Sequence, residues 1–387
     1  MYQRTAAIVG VGQSDLGEIP GSTSIALMTD AAVAAVTDAG LAAPDIDGII
    51  VRGPDDEYCF QQLLGERLGV NAAFSTSLDN GGASQALGVI LASLAIEAGL
   101  ATTVLCGYGR NAWSRTRRAG SRRARMNQAT TRRVREFRDP FGYFGEPATH
   151  ALGAQRHMAM YGTTKEQLGH IALAFREHAG RNPAAQMRAP LTMQDYLNGR
   201  PVADPFGVYD CSLRTDGAGA IVVTDIARAR DLRHTPVVVR GFGSSNNLRG
   251  WIADDHMVHT AARASGERAY RIADVAPADI DTAQLYDCFT YMVLAQVEDY
   301  GFCDKGDGGG FVASGALALD GALPTNTAGG QLSEGHVEGM LQIVEAVRQL
   351  RHEHPAERQV PDARLALVSG HGGNTVCHST LILERAA

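Results

Sequence analysis

Apolar positions in the first hundred residues fall into two kinds of block. Thr5 to Gly12 (TAAIVGVG) is a short continuous apolar run, which reads as a buried strand. Ser24 to Ala39 carries apolar residues at helical spacing and ends at a glycine stop, Gly40. AAPDIDGIIV then gives a second strand at Ile49–Val51. Between Phe74 and Leu100, SLDNGG turns into ASQALGVILASLAIEAG, a helix apolar on nearly every side, which belongs in the middle of a core. ATTVLCGYG supplies another buried strand.

The same order recurs later. PVVVRGFG at Pro236–Gly243 parallels the opening strand, and VAPADIDTAQLYD at Val275–Asp287 parallels LAAPDIDGIIV, with a shared Asp-Ile-Asp. Gly329-Gly330 answers Gly81-Gly82 ahead of a helix, and RLALVSGHG answers TTVLCGYG. This is the signature of an internal duplication of an α/β unit. It predicts an N-terminal half at 1–235 with an insertion at about 110–210, and a C-terminal half at 236–387. The two Gly-Gly helix starts are expected to face each other across the centre.

Within the second half, LPTNTAGGQLSEGHVEGMLQIVEAVRQLR at Leu323–Arg351 is a glycine-rich loop feeding a helix whose apolar stripe is Met340, Ile343, Val344, Val347 and Leu350. A helix start at His336 would present unpaired backbone N–H groups to a carbonyl oxygen, an enolate or a phosphate.

Composition narrows the classes. A net charge of −7 argues against bulk nucleic-acid binding. No apolar run has the length of a membrane span, and the opening residues lack a signal-peptide pattern, so the reading is a cytoplasmic protein. Six widely spaced cysteines without a CxxC pair argue against a metal site or a disulfide framework. Against the acidic background, residues 110–138 hold eleven arginines, among them Arg117, Arg118, Arg122 and Arg123. They form either a solvated face or a local positive field for a phosphate-bearing ligand or an acidic partner.

FREHAGRNPAAQMRAPLTMQDYLNGRPVADPF, DCSLRTDGAGAIVVT and LYDCFTYMVLAQVEDYGFCDKGDGGGFV give the chain a resemblance to the thiolase superfamily. Within it, the chain resembles the sterol-carrier-protein-type thiolases and the actinobacterial lipid-transfer-protein aldolases of steroid side-chain breakdown. The resemblance implies a duplicated five-layer αβαβα fold with an inserted loop domain, a homodimer, a coenzyme A thioester as substrate and no bound cofactor. It also implies a small OB-fold, zinc-ribbon partner protein. Carried across by position, the thiolase nucleophilic cysteine falls on Gly82, leaving that place vacant. The Asn-Glu-Ala-Phe motif falls on Tyr286-Asp287-Cys288-Phe289, the Gly-His-Pro motif on Gly335-His336-Val337, and the second thiolase cysteine near His371.

Without the thiol, acyl transfer through a cysteinyl thioester loses its nucleophile. A retro-aldol cleavage needs only a base, a sink for the enolate and an acid, roles that Tyr286, His336 and His371 can fill. Asp287, Gly330 and Gly335 are expected to shape the site, with Asp287 organising backbone N–H groups. Three functions follow: retro-aldol cleavage of a β-hydroxyacyl-CoA, including a steroid-derived one; a Claisen-type acyltransferase or thiolase component of a complex; and a non-catalytic acyl-CoA or lipid carrier. Cys288 reads as a buried hydrophobe, and Ser84 has no visible His-Asp pairing.

Overall fold

The computed structural model describes residues 6–54, 57–118, 139–143, 145–247, 258–373 and 376–386, with the backbone alone for 116–118 and 139. Its strands are β1 (Ala6–Gln13), β2 (Gly48–Arg52), β3 (Phe74–Ser77), β4 (Thr103–Asn111), β5 (Pro201–Ala203), β6 (Phe206–Gly207), β7 (Asp216–Asp225), β8 (Val237–Asn246), β9 (Thr282–Gln284), β10 (Leu365–Gly372) and β11 (Cys377–Arg385). β5 and β6 pair as a small ribbon, and the other nine form one sheet in the order β3-β2-β4-β7-β1-β8-β11-β10-β9.

Outward from the β1–β8 seam the order is β1-β7-β4-β2 on one side and β8-β11-β10-β9 on the other. Strand directions repeat as well: β2–β4 and β9–β10 are parallel, while β4–β7, β10–β11, β1–β7 and β8–β11 are antiparallel. The seam itself is narrow, pairing Ala7 with Val238 and Ile8 with Val237.

The packing repeats in the same way. Gly10 and Gly12 of β1 lie against the backbone of helix Ser24–Asp38, where an added Cβ would collide with the carbonyls of Ala35 and Ala31. Gly241 and Gly243 of β8 do the same against Ala269 and Ser265 of helix Ala262–Ala273. The glycines of VGVG therefore let a helix sit close on a strand.

Helices Ser84–Glu97 and Met340–Arg351 each touch strands from both sides of the seam, whereas Ser24–Asp38 and Ala262–Ala273 cover outer faces. The sheet thus folds around two central helices, giving helix, sheet, helix, sheet, helix. Central placement explains why Ser84–Glu97 is apolar nearly all round, and why the charged residues of Met340–Arg351 need internal partners. Glu345 accepts hydrogen bonds from Thr327 Oγ1 (2.6 Å) and pairs with His354 (3.0 Å), and Arg351 pairs with Asp38 at 2.9 Å.

Two expectations about the glycine-rich loop are corrected. The helix does not start at His336: a single turn at Gly330–Ser333 is followed by a bend, and the long helix begins at Met340 after Gly339 in left-handed backbone (φ +87°). His336 lies in the bend, and its N–H donates to Thr215 Oγ1 at 2.8 Å, so it is not an open anion site. Nor do Gly329 and Gly330 face Gly82. They pack against Ala179 and Asp287, and it is Gly339 that approaches the Gly82 carbonyl.

Candidate active site

Four chain segments converge where the central helices begin. Gly81 and Gly82 precede helix Ser84–Glu97, and Tyr286 leaves the end of β9. His336 comes from the bend before Met340, and His371 from the end of β10. Close approach of these segments depends on the absence of side chains: an added Cβ at Gly370 or Gly372 would meet the backbone of Gly82–Ala83 or of Asn80.

Tyr286 is the centre of the site. Its N–H donates to Ser369 Oγ (2.9 Å) and its carbonyl accepts from Gln296 Nε2 (2.8 Å), which fixes the backbone from which the ring projects. The ring, 5% exposed, lies directly over Gly82. A Cβ at position 82 would stand 2.2 Å from Tyr286 Cε2 and 2.3 Å from its Cζ and hydroxyl oxygen. The space that a side chain at position 82 would need is therefore filled by a phenol.

The Tyr286 hydroxyl lies 3.4 Å from His336 Nε2, and His336 Nδ1 lies 3.1 Å from Ser212 Oγ. Burial, and next the Glu338 carboxylate, push the Tyr286 hydroxyl well above its usual range, while burial holds His336 below its own. Both shifts favour the neutral forms near pH 7, a phenol and an imidazole within reach of each other. His336 keeps some exposed surface, while Tyr286 and His371 are buried.

Several residues here were not anticipated. Glu338, at φ +44°, accepts from Arg52 Nη1 (2.7 Å), Tyr108 Oη (3.0 Å) and Arg110 Nη1 (3.3 Å). Arg52 and Arg110 sit at or near the C-terminal ends of the parallel strands β2 and β4, where open α/β sheets place ligand contacts. A cation closing an apolar strand was the available signal. His150, on helix Gly145–Tyr161, packs its ring on Phe289 (4.6 Å) and reaches His371, with Nε2 atoms 3.4 Å apart. His371 Nδ1 lies 2.9 Å from His378 Nε2. Burial lowers all three imidazoles, His150 to about 4 and His378 to about 3. Cys288 Sγ lies 4.0 Å from His150 Nε2, so residues distant in sequence form a His/Cys cluster capable of holding a cation.

Among the expected supporting residues, Asp287 accepts from the N–H groups of Gln331 (2.9 Å) and Leu332 (3.1 Å) and from Gln342 Nε2 (3.0 Å). Burial raises its carboxyl to about 6 against these bonds. Gly330 must be glycine because a Cβ there would collide with Asp287 Oδ2, and Gly335 packs on Leu16 and Thr215. Of the arginine run, Arg117 and Arg118 end helix Ala112–Arg118, and Arg122 and Arg123 lie outside the described residues.

The fold is that of a thiolase-like protein, and its candidate site holds a tyrosine ring over Gly82. Residues 243–385 match the thiolase C-terminal domain-like family. The chain is 36% identical to the 17-hydroxy-3-oxo-4-pregnene-20-carboxyl-CoA lyase of Mycobacterium tuberculosis, over 91% of this chain and 92% of that protein. It is 34% identical to the steroid side-chain-cleaving aldolase of Thermomonospora curvata, over 89% and 90%. The solved Ltp2-ChsH2(DUF35) aldolase superposes with a TM-score of 0.90 at 32% identity, over 99% of this chain and 98% of that one. The chain belongs to the thiolase superfamily.

Proposed function

We propose that this protein is a carbon–carbon lyase that cleaves a β-hydroxyacyl-CoA by a retro-aldol reaction. The observation that carries the reading is the Tyr286 ring over Gly82, with its hydroxyl on His336. No side chain, and hence no thiol, fits at position 82 beside that ring. Cys288 is no substitute, because burial holds its thiol well above the ordinary range.

As the Tyr286 oxygen takes the proton of the substrate's β-hydroxyl, its own proton passes to His336 Nε2. The C–O bond becomes a carbonyl, the Cα–Cβ pair moves into the thioester enolate, and the proton returns to Cα. Protons balance without a covalent intermediate. Arg52 and Arg110, which pair with Glu338 while Arg52 also pairs with Asp79, are the cations at or near the strand ends and are the groups assigned to meet the thioester oxygen as charge develops. His371 borders the reacting space, its ring centroid 5.5 Å from that of Tyr286.

The relatives' names support a steroid-derived acyl group, and the Ltp2-ChsH2(DUF35) assembly supports a small partner protein. A homodimer, a cytoplasmic location and a division of the chain at 235/236 complete the proposal. The repeated strand order and the lack of a helix long and apolar enough to cross a membrane among the described residues are in keeping with it. The test is release of a ketone or aldehyde from a β-hydroxyacyl-CoA. Tyr286→Phe keeps the ring and removes the hydroxyl, so kcat should fall by about 10²–10⁴ with unchanged melting. Undiminished turnover would remove Tyr286 from the chemistry.

A further inference from the structure

His150, Cys288 and His371 come from a helix of the insertion, the segment after β9 and the end of β10, and all three are buried. Their ligand atoms, two imidazole nitrogens and one sulfur, lie within 4.8 Å of one another. We infer that they form a three-ligand site for a borderline-soft divalent cation of the zinc class.

Distances support this first. With metal–nitrogen bonds of about 2.05 Å and a metal–sulfur bond of about 2.3 Å, a tetrahedral centre separates two nitrogens by about 3.4 Å and a nitrogen from sulfur by about 3.6 Å. Here the Nε2 atoms of His150 and His371 are 3.4 Å apart, and Cys288 Sγ is 4.0 Å from His150 Nε2. The remaining pair, His371 and Cys288, is bounded only by the 4.8 Å spread of the three ligand atoms, so binding draws the thiol inward by up to about 1 Å.

Orientation supports it independently. Metal-binding histidines hold their far nitrogen on a second group, which fixes ring and tautomer. His150 Nδ1 lies 2.9 Å from the Glu146 carbonyl. A carbonyl only accepts, so the proton is on Nδ1 and the Nε2 lone pair points at His371. His371 in turn has Nδ1 2.9 Å from His378 Nε2. The 3.4 Å between the two Nε2 atoms accommodates either the Nε2–H of a neutral His371 or a cation; in the cation-bound form His371 carries its proton on Nδ1, facing His378 Nε2. Donor chemistry selects the cation, since two imidazoles and a thiol favour zinc-class ions over magnesium or calcium. Three protein ligands leave a fourth position for water or another oxygen.

The site stands independently of the reaction assigned above, so its test needs no turnover. Metal-stripped full-length protein is titrated with cobalt(II) chloride, followed by sulfur-to-cobalt charge-transfer absorption and by equilibrium dialysis, with zinc chloride as competitor. The expected result is about one equivalent bound with a charge-transfer band that zinc abolishes. Cys288→Ser should remove the band and Cys211→Ser should retain it. His150→Gln should weaken binding at least about 100-fold with an unchanged thermal melt, and serves if Cys288→Ser does not fold. Binding no greater than the dialysis blank, a band that survives in Cys288→Ser, or an affinity unchanged by His150→Gln overturns the assignment.

Discussion

Replacing Gly82 with alanine adds a single methyl group at the point where the two halves of the site meet. That methyl would stand 2.2 Å from Tyr286 Cε2, roughly 1.2 Å inside ordinary contact. The ring cannot retreat freely. Gly339 lies on it closely enough that a Cβ there would be 3.2 Å from Cδ2, and both backbone groups of Tyr286 are hydrogen-bonded. Overpacking of this kind costs about 1–3 kcal/mol. A ring displaced by about 1 Å carries its hydroxyl away from His336 Nε2, a misplacement that costs on the order of 10²-fold in rate. The assay is a urea melt with kcat/KM for carbonyl release, set in a cycle with Tyr286→Asn and Tyr286→Phe. Asparagine makes room for the methyl, so its double mutant should be about 1–3 kcal/mol more stable than the sum of the single effects. Phenylalanine keeps Cε2 and Cζ, and should give little relief. Gly310→Ala, where nothing lies within 4 Å of the added carbon and the backbone is helical, should leave activity unchanged and stability equal or up to about 1 kcal/mol higher. A Gly82→Ala protein as stable and active as the parent, or strict additivity with Tyr286→Asn, would refute the claim that the Tyr286 ring fills the space beside Gly82.

Other consequences follow from the same packing and charges. Gly243→Ala places a methyl on the Ser265 carbonyl, where neither backbone can yield, and should cost about 1–3 kcal/mol or more in a urea melt; a neutral result would mean the helix is not seated as described. Burial acts to raise the Glu345 carboxyl, but His354, Arg358 and Thr327 more than offset it, and the group is held at about 2. Its folded value is depressed, so its contribution, about 3 kcal/mol, is present above the ordinary glutamate value and lost as pH falls from there toward 2. Glu345→Gln should therefore flatten the acid side of the stability profile over that window, and an unchanged profile would argue against the pair. His336 is held below the ordinary imidazole value by burial. Its basic form thus persists below pH 6.5, and the acid limb of kcat/KM should lie under that value; a limb above it would exclude His336 as the proton acceptor.

What the sequence revealed divides along physical lines. The apolar run of β1 and its twin at β8 were legible because strands covered on both faces lose the alternation of exposed ones. The all-round apolar pattern of Ser84–Glu97 likewise marked a central helix. Tyr286, His336 and Gly82 could be placed from short motifs, because the segments bearing them keep their local glycine pattern. The start of the following helix was misplaced because Glu338 and Gly339 both take left-handed backbone. Glu338 is held there by Arg52, 286 residues away, a partner no local pattern shows. The His150–Cys288–His371 cluster was hidden for the same reason: its members come from three elements joined only by tertiary packing. The arginine-rich run, chosen for its charge, lies largely outside the described residues.

The central claim, cleavage without an acyl-enzyme, is tested most directly by turnover of a β-hydroxyacyl-CoA in deuterium oxide, with mass analysis of the shortened acyl-CoA and the intact protein. Retro-aldol chemistry through Tyr286 and His336 predicts a free carbonyl product, one deuterium at Cα of the shortened thioester, and no acyl adduct on the protein at any time. A shortened acyl-CoA without solvent deuterium, or a covalent acyl adduct that forms and decays with turnover, would contradict it.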